Sequence, residues 1–287
     1  MLSGSTIKLL RIPFSVFLSP IYFFALLQVD HIDLLKAVLV FVVLHLLVYP
    51  ASNGYNSYMD RDTGSIGGIE KPPLASKQLY YVTIVLDVLA IILGFMVDPL
   101  FGLLMPFYIG ASKAYSYRRI RLKKFPVPGY LLVILIQGAF TFWLVWYGTA
   151  ALPPHSIPWL PMIACAFLIG GFYPLTQVYQ HVQDLDDGVK TISYLLGYRG
   201  TFIFCACMYI VAWLIMAQFF ITQGQHYKLW VFSILLIPVI VYFITWLRKV
   251  WSDPHAANFQ NTMKMTWIAS GCINLVFIIH LSWRYFE

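Results

Sequence analysis

The chain has 287 residues, of which 60% are hydrophobic, 17% aromatic and only 11% charged, with a mean hydropathy of +0.74. Soluble domains carry about 25% charged residues, so this composition excludes an ordinary water-soluble fold and points to lipid as the solvent. The net charge of +7 fits an anionic membrane surface or an anionic substrate, and composition does not choose between them.

A helix crosses the hydrocarbon core with about 20 apolar residues. Nine such runs are predicted, at about 9–28, 33–52, 79–97, 99–116, 129–148, 158–178, 200–221, 228–247 and 264–283. The first lacks a small-residue cleavage site and is expected to be a span rather than a signal peptide. The expected fold is all-α: a polytopic bundle of about nine transmembrane helices forming a single domain over 1–287. Cys165, Cys205, Cys207 and Cys272 lie in apolar stretches without zinc-type spacing to histidine, and are expected to be buried small hydrophobes.

Three gaps, 53–78, 117–128 and 179–199, are long, polar and rich in Gly, Pro or charge. Lys and Arg crowd these gaps, the N-terminus and the segment before the ninth run, whereas the opposite side carries only Lys36, Lys228 and Arg284. The positive-inside rule therefore predicts a cytoplasmic N-terminus, an external C-terminus and three cytoplasmic polar loops.

The first gap reads Asn53-Gly-Tyr-Asn56-Ser-Tyr-Met-Asp60-Arg-Asp62, and the third reads Gln177-Val-Tyr-Gln180-His181-Val-Gln-Asp184-Leu-Asp186-Asp187-Gly188-Val-Lys190. Asn53, Asn56 and Asp60 share one face if the second run continues as helix, as do Gln180, Asp184 and either Asp187 or Gly188. Oxygen donors at this spacing suit Mg²⁺, which takes one or two carboxylates and fills its other positions with water and phosphate oxygens. Neighbouring Arg and Lys can neutralise phosphate. The competing reading is a solvated surface of acid–base pairs at membrane ends. Two such clusters on one face weigh toward the metal–phosphate site.

Asn56-Ser-Tyr-Met-Asp60-Arg-Asp62, followed by Lys71-Pro-Pro-Leu-Ala-Ser76, resembles the first aspartate-rich motif of the UbiA superfamily of intramembrane prenyltransferases. Gln180, Asp184, Gly188 and Lys190 resemble its second motif, with Gly197 beyond. Tyr115-Ser116-Tyr-Arg-Arg-Ile-Arg121-Leu-Lys123 is similar to its connecting stretch. Ser57, Gly64 and Gln180 stand where the family has aspartates, and Pro72 replaces an arginine. Fewer carboxylates imply weaker Mg²⁺ binding unless Asp62, Asp186 or Asp187 substitutes.

The resemblance implies transfer of a prenyl group from a polyprenyl diphosphate to a lipophilic, aromatic or quinol-type acceptor, assisted by Mg²⁺. Asn56, Asp60 and Asp184 are the implied catalytic residues, and Asp60, Asp184, Asn56 and Gln180 the implied metal ligands. Lys71, Arg121, Lys123 and Lys190 would bind diphosphate. Asn53, Asp62, His181, Asp187, Tyr115 and Tyr173 are expected as substitutes or supports. The partners are the two substrates and the bilayer, with no nucleic acid and no obligate protein partner. The alternatives are a terpene cyclase on the same scaffold, or a non-catalytic membrane protein or transporter; the latter is disfavoured because the polar groups gather at one face rather than at mid-membrane.

Three further polar residues stand out. Asp87 falls mid-span, where a charge suggests a cavity role or a hydrogen-bonded packing carboxyl. His45 is an acceptor-side base or a helix–helix contact. His181 either deprotonates an acceptor or faces solvent.

Overall fold

A computed structural model describes residues 2–152 and 156–284. Among these residues the only strand-like pairings are isolated bridges, Ile32 with Ala150 and Ile66 with Ile69. Nine helical segments follow one another: α1 (Gly4–Leu27), α2 (Leu34–Asp60), α3 (Lys77–Val97), α4 (Pro99–Ser116), α5 (Pro126–Gly148), α6 (Trp159–Asp186), α7 (Ile192–Thr222), α8 (His226–Ser252) and α9 (Phe259–Trp283). Eight are long and apolar enough to cross a membrane. The remaining one, α4, has 18 residues, but Pro106 and the polar end Ser112-Lys113-Ala-Tyr115-Ser116 dilute its apolarity. The chain is an integral, multi-pass membrane protein.

Helix α3 shows how the lipid solvent shapes the pattern. Its buried face carries Thr83, Asp87, Ala90 and Gly94, while Val85, Val88, Ile92, Phe95 and Met96 are exposed. The larger apolar side chains point outward, as lipid requires and water forbids. Small residues and hydrogen bonds then join the helices. A Cβ on Gly138 of α5 would lie 2.7 Å from the Cα of Ala166 in α6, so the two backbones approach closely there. Ser52 and Ser112 share a 2.6 Å hydrogen bond between α2 and α4, and Ser19 donates to Asn274 at 2.8 Å between α1 and α9.

Two helices carry π-helical stretches, Val42–Val48 in α2 and Ile134–Phe140 in α5. Such widened turns mark sites where one residue is redirected. Helix α1 is broken at Arg11, which adopts φ 51° before Pro13.

Several boundaries differ from the sequence reading. Helix α1 starts at Gly4, because the Ser3 hydroxyl accepts from Thr6 N at 3.3 Å and caps the end. Helix α2 runs on to Asp60, so the first polar cluster is helical rather than loop. Helix α7 starts at Ile192 and bends at Gly197, whose φ of 69° suits glycine. Cys165 and Cys205 are buried, but Cys207 is exposed and Cys272 half-buried; all four are free. An outward thiol is tolerated where the surrounding medium is apolar.

Candidate active site

The ends of α2, α4 and α6 meet at one end of the bundle, together with residues 61–76, 117–125 and 187–191. They surround a cavity of about 220 Å³. Helical spacing places Asn53, Asn56 and Asp60 on its wall. The Asn56 amide is oriented by donating to Ser116 Oγ at 2.9 Å, and Arg61 ends the helix in the left-handed region, φ 54°.

From the second connection, Arg118 Nε donates to the Met59 carbonyl at 2.6 Å and Arg121 turns inward at φ 49°. Arg121 lies 3.4 Å from Asp60 Oδ1, and Lys123 pairs with Asp60 Oδ2. Arg121 also pairs with the Asp187 carboxylate and donates to the Asp187 carbonyl at 2.9 Å. The two acidic motifs are thus tied together through one guanidinium. The carboxylates of Asp187 and Asp60 hold Arg121 above its ordinary pKa even though burial opposes this.

From α6, a 3₁₀ turn at Val178–Gln180 precedes the last helical turns. It aims Gln177, Gln180 and Asp184 into the same cavity. Gln180 donates to the Ser65 carbonyl at 3.1 Å, and Gln183 pairs with Asp62. Asp62 also lines the cavity, and burial, reinforced by the charge of Asp60, pushes its pKa up to about 6.

Among the described residues no three His, Cys, Asp or Glu side chains converge to hold a metal alone. The cavity nevertheless presents carboxylates of Asp60, Asp62 and Asp184 with amides of Asn56 and Gln180. Gln177 is 5% exposed and its Oε1 has no hydrogen-bond partner. An incomplete, all-oxygen donor set of this kind fits Mg²⁺ completed by water and phosphate oxygens, and does not fit a self-sufficient metal cage.

The sequence-predicted residues divide into three groups. Asn53, Asn56, Asp60, Asp62, Gln180, Asp184, Lys123, Tyr115 and Tyr173 all line the cavity, and the last two share a hydrogen bond between their hydroxyls. Arg121 and Asp187 support it from behind. Lys71 and Lys190 are exposed and outside the lining, because each sits on a connection whose turn directs it away. His181 neither reaches the cavity nor faces solvent: it is buried, stacked on Tyr198 and bonded to Ser193 at 2.7 Å. Asp87 pairs with Lys113 at 2.7 Å, with the ammonium 4.0 Å from the Tyr55 ring centroid. His45 is buried and packs on Phe41 at 4.3 Å.

Arg11, Gln177 and Gln137 are among the lining residues that the sequence reading did not assign to the site. Arg11 reaches in from α1, donating to the carbonyls of Asn53 at 3.1 Å and Gly67 at 3.3 Å while its Nε stays unpaired. In sequence it counted only toward orientation. Gln177 looked like one more amide beside the motif, and Gln137 is a single polar residue inside an apolar run. Arg11, Arg61 and Arg121 are the three non-glycine residues at positive φ among the described residues, and such strain concentrates at functional sites.

A second, apolar cavity of about 480 Å³ lies among α1, α6, α7, α8 and α9. Phe17, Ile169 and Phe172 line both cavities.

Fold and site define a helical membrane protein with a hollow lined by carboxylates, amides and cations at one end of its bundle. The UbiA prenyltransferase family model matches residues 17–268, and the chain belongs to this family. No curated protein matches the sequence. Among solved structures, a UbiA homolog from Aeropyrum pernix K1 in its apo form is similar, with TM-score 0.73 and 17% identity over 94% of this chain and 99% of that one. A UbiA homolog from Archaeoglobus fulgidus bound to DMAPP and Mg²⁺ gives TM-score 0.71 and 20% identity over 97% of this chain and 98% of that one. The same homolog bound to GPP and Mg²⁺ gives 0.70 and 19%, over 97% and 100%.

Proposed function

We propose that this protein transfers a prenyl group from a polyprenyl diphosphate to a lipophilic, aromatic or quinol-type acceptor. The observation that carries this reading is one cavity lined by Asp60 and Asp184 on its acidic wall and by Lys123 and Arg11 as cations. The fold-level relatives bound to DMAPP or GPP with Mg²⁺ support it. Asp60 and Asp184 would hold Mg²⁺, with Asn56, Gln180 and Gln177 as amide ligands or partners of its water. When bound, Mg²⁺ neutralises negative charge that develops on the leaving diphosphate.

Lys123, Arg121 and Arg11 add fixed positive charge to the same oxygens, aimed where charge develops in the transition state. The C1–O bond breaks with its electron pair going to the diphosphate. The allylic carbon then bonds to the acceptor ring, and the displaced ring proton leaves through the mouth. Tyr115, Tyr173 and Phe172 face the cation across a water-poor wall, where aromatic faces stabilise it. The hydrocarbon chain runs past Phe17, Ile169 and Phe172 toward the apolar cavity. The basic cluster Arg118, Arg119, Arg121, Lys123 and Lys124 at the mouth supports a cytoplasmic mouth and N-terminus.

Purified protein incubated with labelled polyprenyl diphosphates, Mg²⁺ and a panel of phenolic and quinol acceptors tests the reading. A prenylated acceptor and stoichiometric diphosphate are expected. A cyclic hydrocarbon formed without acceptor, or no diphosphate release from any donor, contradicts it.

A further inference from the structure

Asp87 of α3 and Lys113 of α4 form an ion pair of 2.7 Å that no step of the proposed reaction uses. Neither side chain lines the polar cavity. Both lie in the seam where α2, α3 and α4 meet, and the Lys113 ammonium stands 4.0 Å from the ring centroid of Tyr55 on α2. Asp87 and Tyr55 are buried. The other ion pairs among the described residues all involve Asp60 or Asp187 at the mouth. A charge within a span is costly, and a buried pair commonly stabilises no more than apolar residues of similar volume. What it adds is direction, because apolar contact is non-directional.

The adjoining face of α4 shows what that direction sets. Ser112 and Ser116, one turn apart, meet Ser52 and Asn56, one turn apart on α2. The Ser52 and Ser112 hydroxyls are 2.6 Å apart, and Asn56 Nδ2 donates to Ser116 Oγ at 2.9 Å. All four residues line the cavity. Lys113 follows Ser112 directly, so a rotation of α4 that separates Lys113 from Asp87 also carries both serines away from α2. An amide has two unlike arms, an NH₂ that donates and an oxygen that accepts. Ser116 takes the NH₂ arm of Asn56, and the oxygen is the arm left for a metal or its water. We infer that Asp87 and Lys113 are positioning residues for the metal site. They fix the rotation of α4, which holds Ser116 against Asn56 and so keeps the Asn56 oxygen available to Mg²⁺. This rests on the transferase reading above, in which Asn56 serves the metal.

Calorimetric titration of geranyl diphosphate with Mg²⁺ into the purified full chain tests it, alongside thermal midpoints in chelator. The variants are Asp87→Leu/Lys113→Met, the charge-exchanged Asp87→Lys/Lys113→Asp, Ser116→Ala, and Ser116→Ala combined with the apolar pair. The apolar pair strands no charge and is expected to keep the wild-type midpoint or raise it. It is nevertheless expected to bind about tenfold more weakly, the lower end of the loss when a group that orients a metal ligand is removed. Charge exchange should recover most of that affinity, and the apolar pair should cost nothing further in Ser116→Ala protein. Wild-type affinity in the folded apolar pair, or an equal loss with and without Ser116, would overturn the assignment. If the apolar pair unfolds, the charge-exchanged protein decides: folded but binding no better than Ser116→Ala, it overturns the assignment as well. A wild type that binds no geranyl diphosphate with Mg²⁺ is a distinct outcome, which sinks the transferase reading and this inference with it.

Discussion

Lys123 on the connection after α4 is paired directly with Asp60 at the end of α2, and both side chains are buried. The group proposed to hold metal is thus held by a group proposed to hold phosphate. On that proposal, a magnesium diphosphate would exchange this one ion pair for two, carboxylate with metal and ammonium with phosphate, leaving neither buried charge unpaired.

Replacing Lys123 with Met is expected to reduce kcat/KM for the prenyl donor by about 10²–10³, the size of effect seen when one preorganised charge-stabilising donor is lost. It should also lower the unfolding midpoint, because Asp60 is left with only the more distant Arg121. Steady-state kinetics and thermal unfolding in detergent read the two effects separately.

Asp184→Asn retains the size and hydrogen bonding of the side chain while removing its charge. Magnesium-dependent diphosphate release is expected to fall by about 10²-fold or more, with the helical signal in circular dichroism unchanged. Activity at the wild-type level would remove Asp184 from the metal site.

Asp62 supplies a pH dependence. Its pKa is pushed up to about 6 in the folded protein, from an ordinary 3.8, by burial and by Asp60. A raised carboxyl contributes stability that is present below the unfolded value and is lost as pH rises through the folded one. The contribution of Asp62 is therefore expected to favour the folded, metal-free protein increasingly as pH falls from 7 toward 5. Asp62→Asn should flatten this trend and stabilise the protein at pH 7 by roughly 1–2 kcal/mol, discounting the shift for partial exposure. Thermal midpoints of the wild type and Asp62→Asn across pH in the presence of chelator check it; a gap between the two that does not narrow from pH 7 toward pH 5 contradicts it.

Gly138→Ala tests the close α5–α6 contact. Both atoms in the way belong to backbone, Ala166 Cα and the Cys165 carbonyl, so neither can swing aside. A loss of about 1–3 kcal/mol is expected, measurable as a lower unfolding midpoint in detergent.

Much of this arrangement is legible in the sequence, and the exceptions have physical causes. Spans in lipid are apolar on both faces, so run length locates α3 and the mid-span charge of Asp87 marks an inward position, while nothing in the pattern tells that Thr83 faces inward. The three-and-four spacing of Asn53, Asn56 and Asp60 specifies a shared wall because a helix fixes that geometry locally. Lys71 and Lys190 are different: a connection can point a lysine anywhere, and motif adjacency does not determine its direction. Arg11 and Gln137 join the cavity only through the fold, one at a break in α1 and one on a widened turn of α5, neither of which a hydropathy pattern displays.

The central claim, that Asp60 and Asp184 jointly hold a magnesium diphosphate, is tested most directly by calorimetric titration of geranyl diphosphate into the purified protein with and without Mg²⁺. Binding is expected only with Mg²⁺, and is expected to disappear in both Asp60→Asn and Asp184→Asn proteins that remain folded. Equal affinity in chelator, or either variant binding as the wild type does, would contradict it.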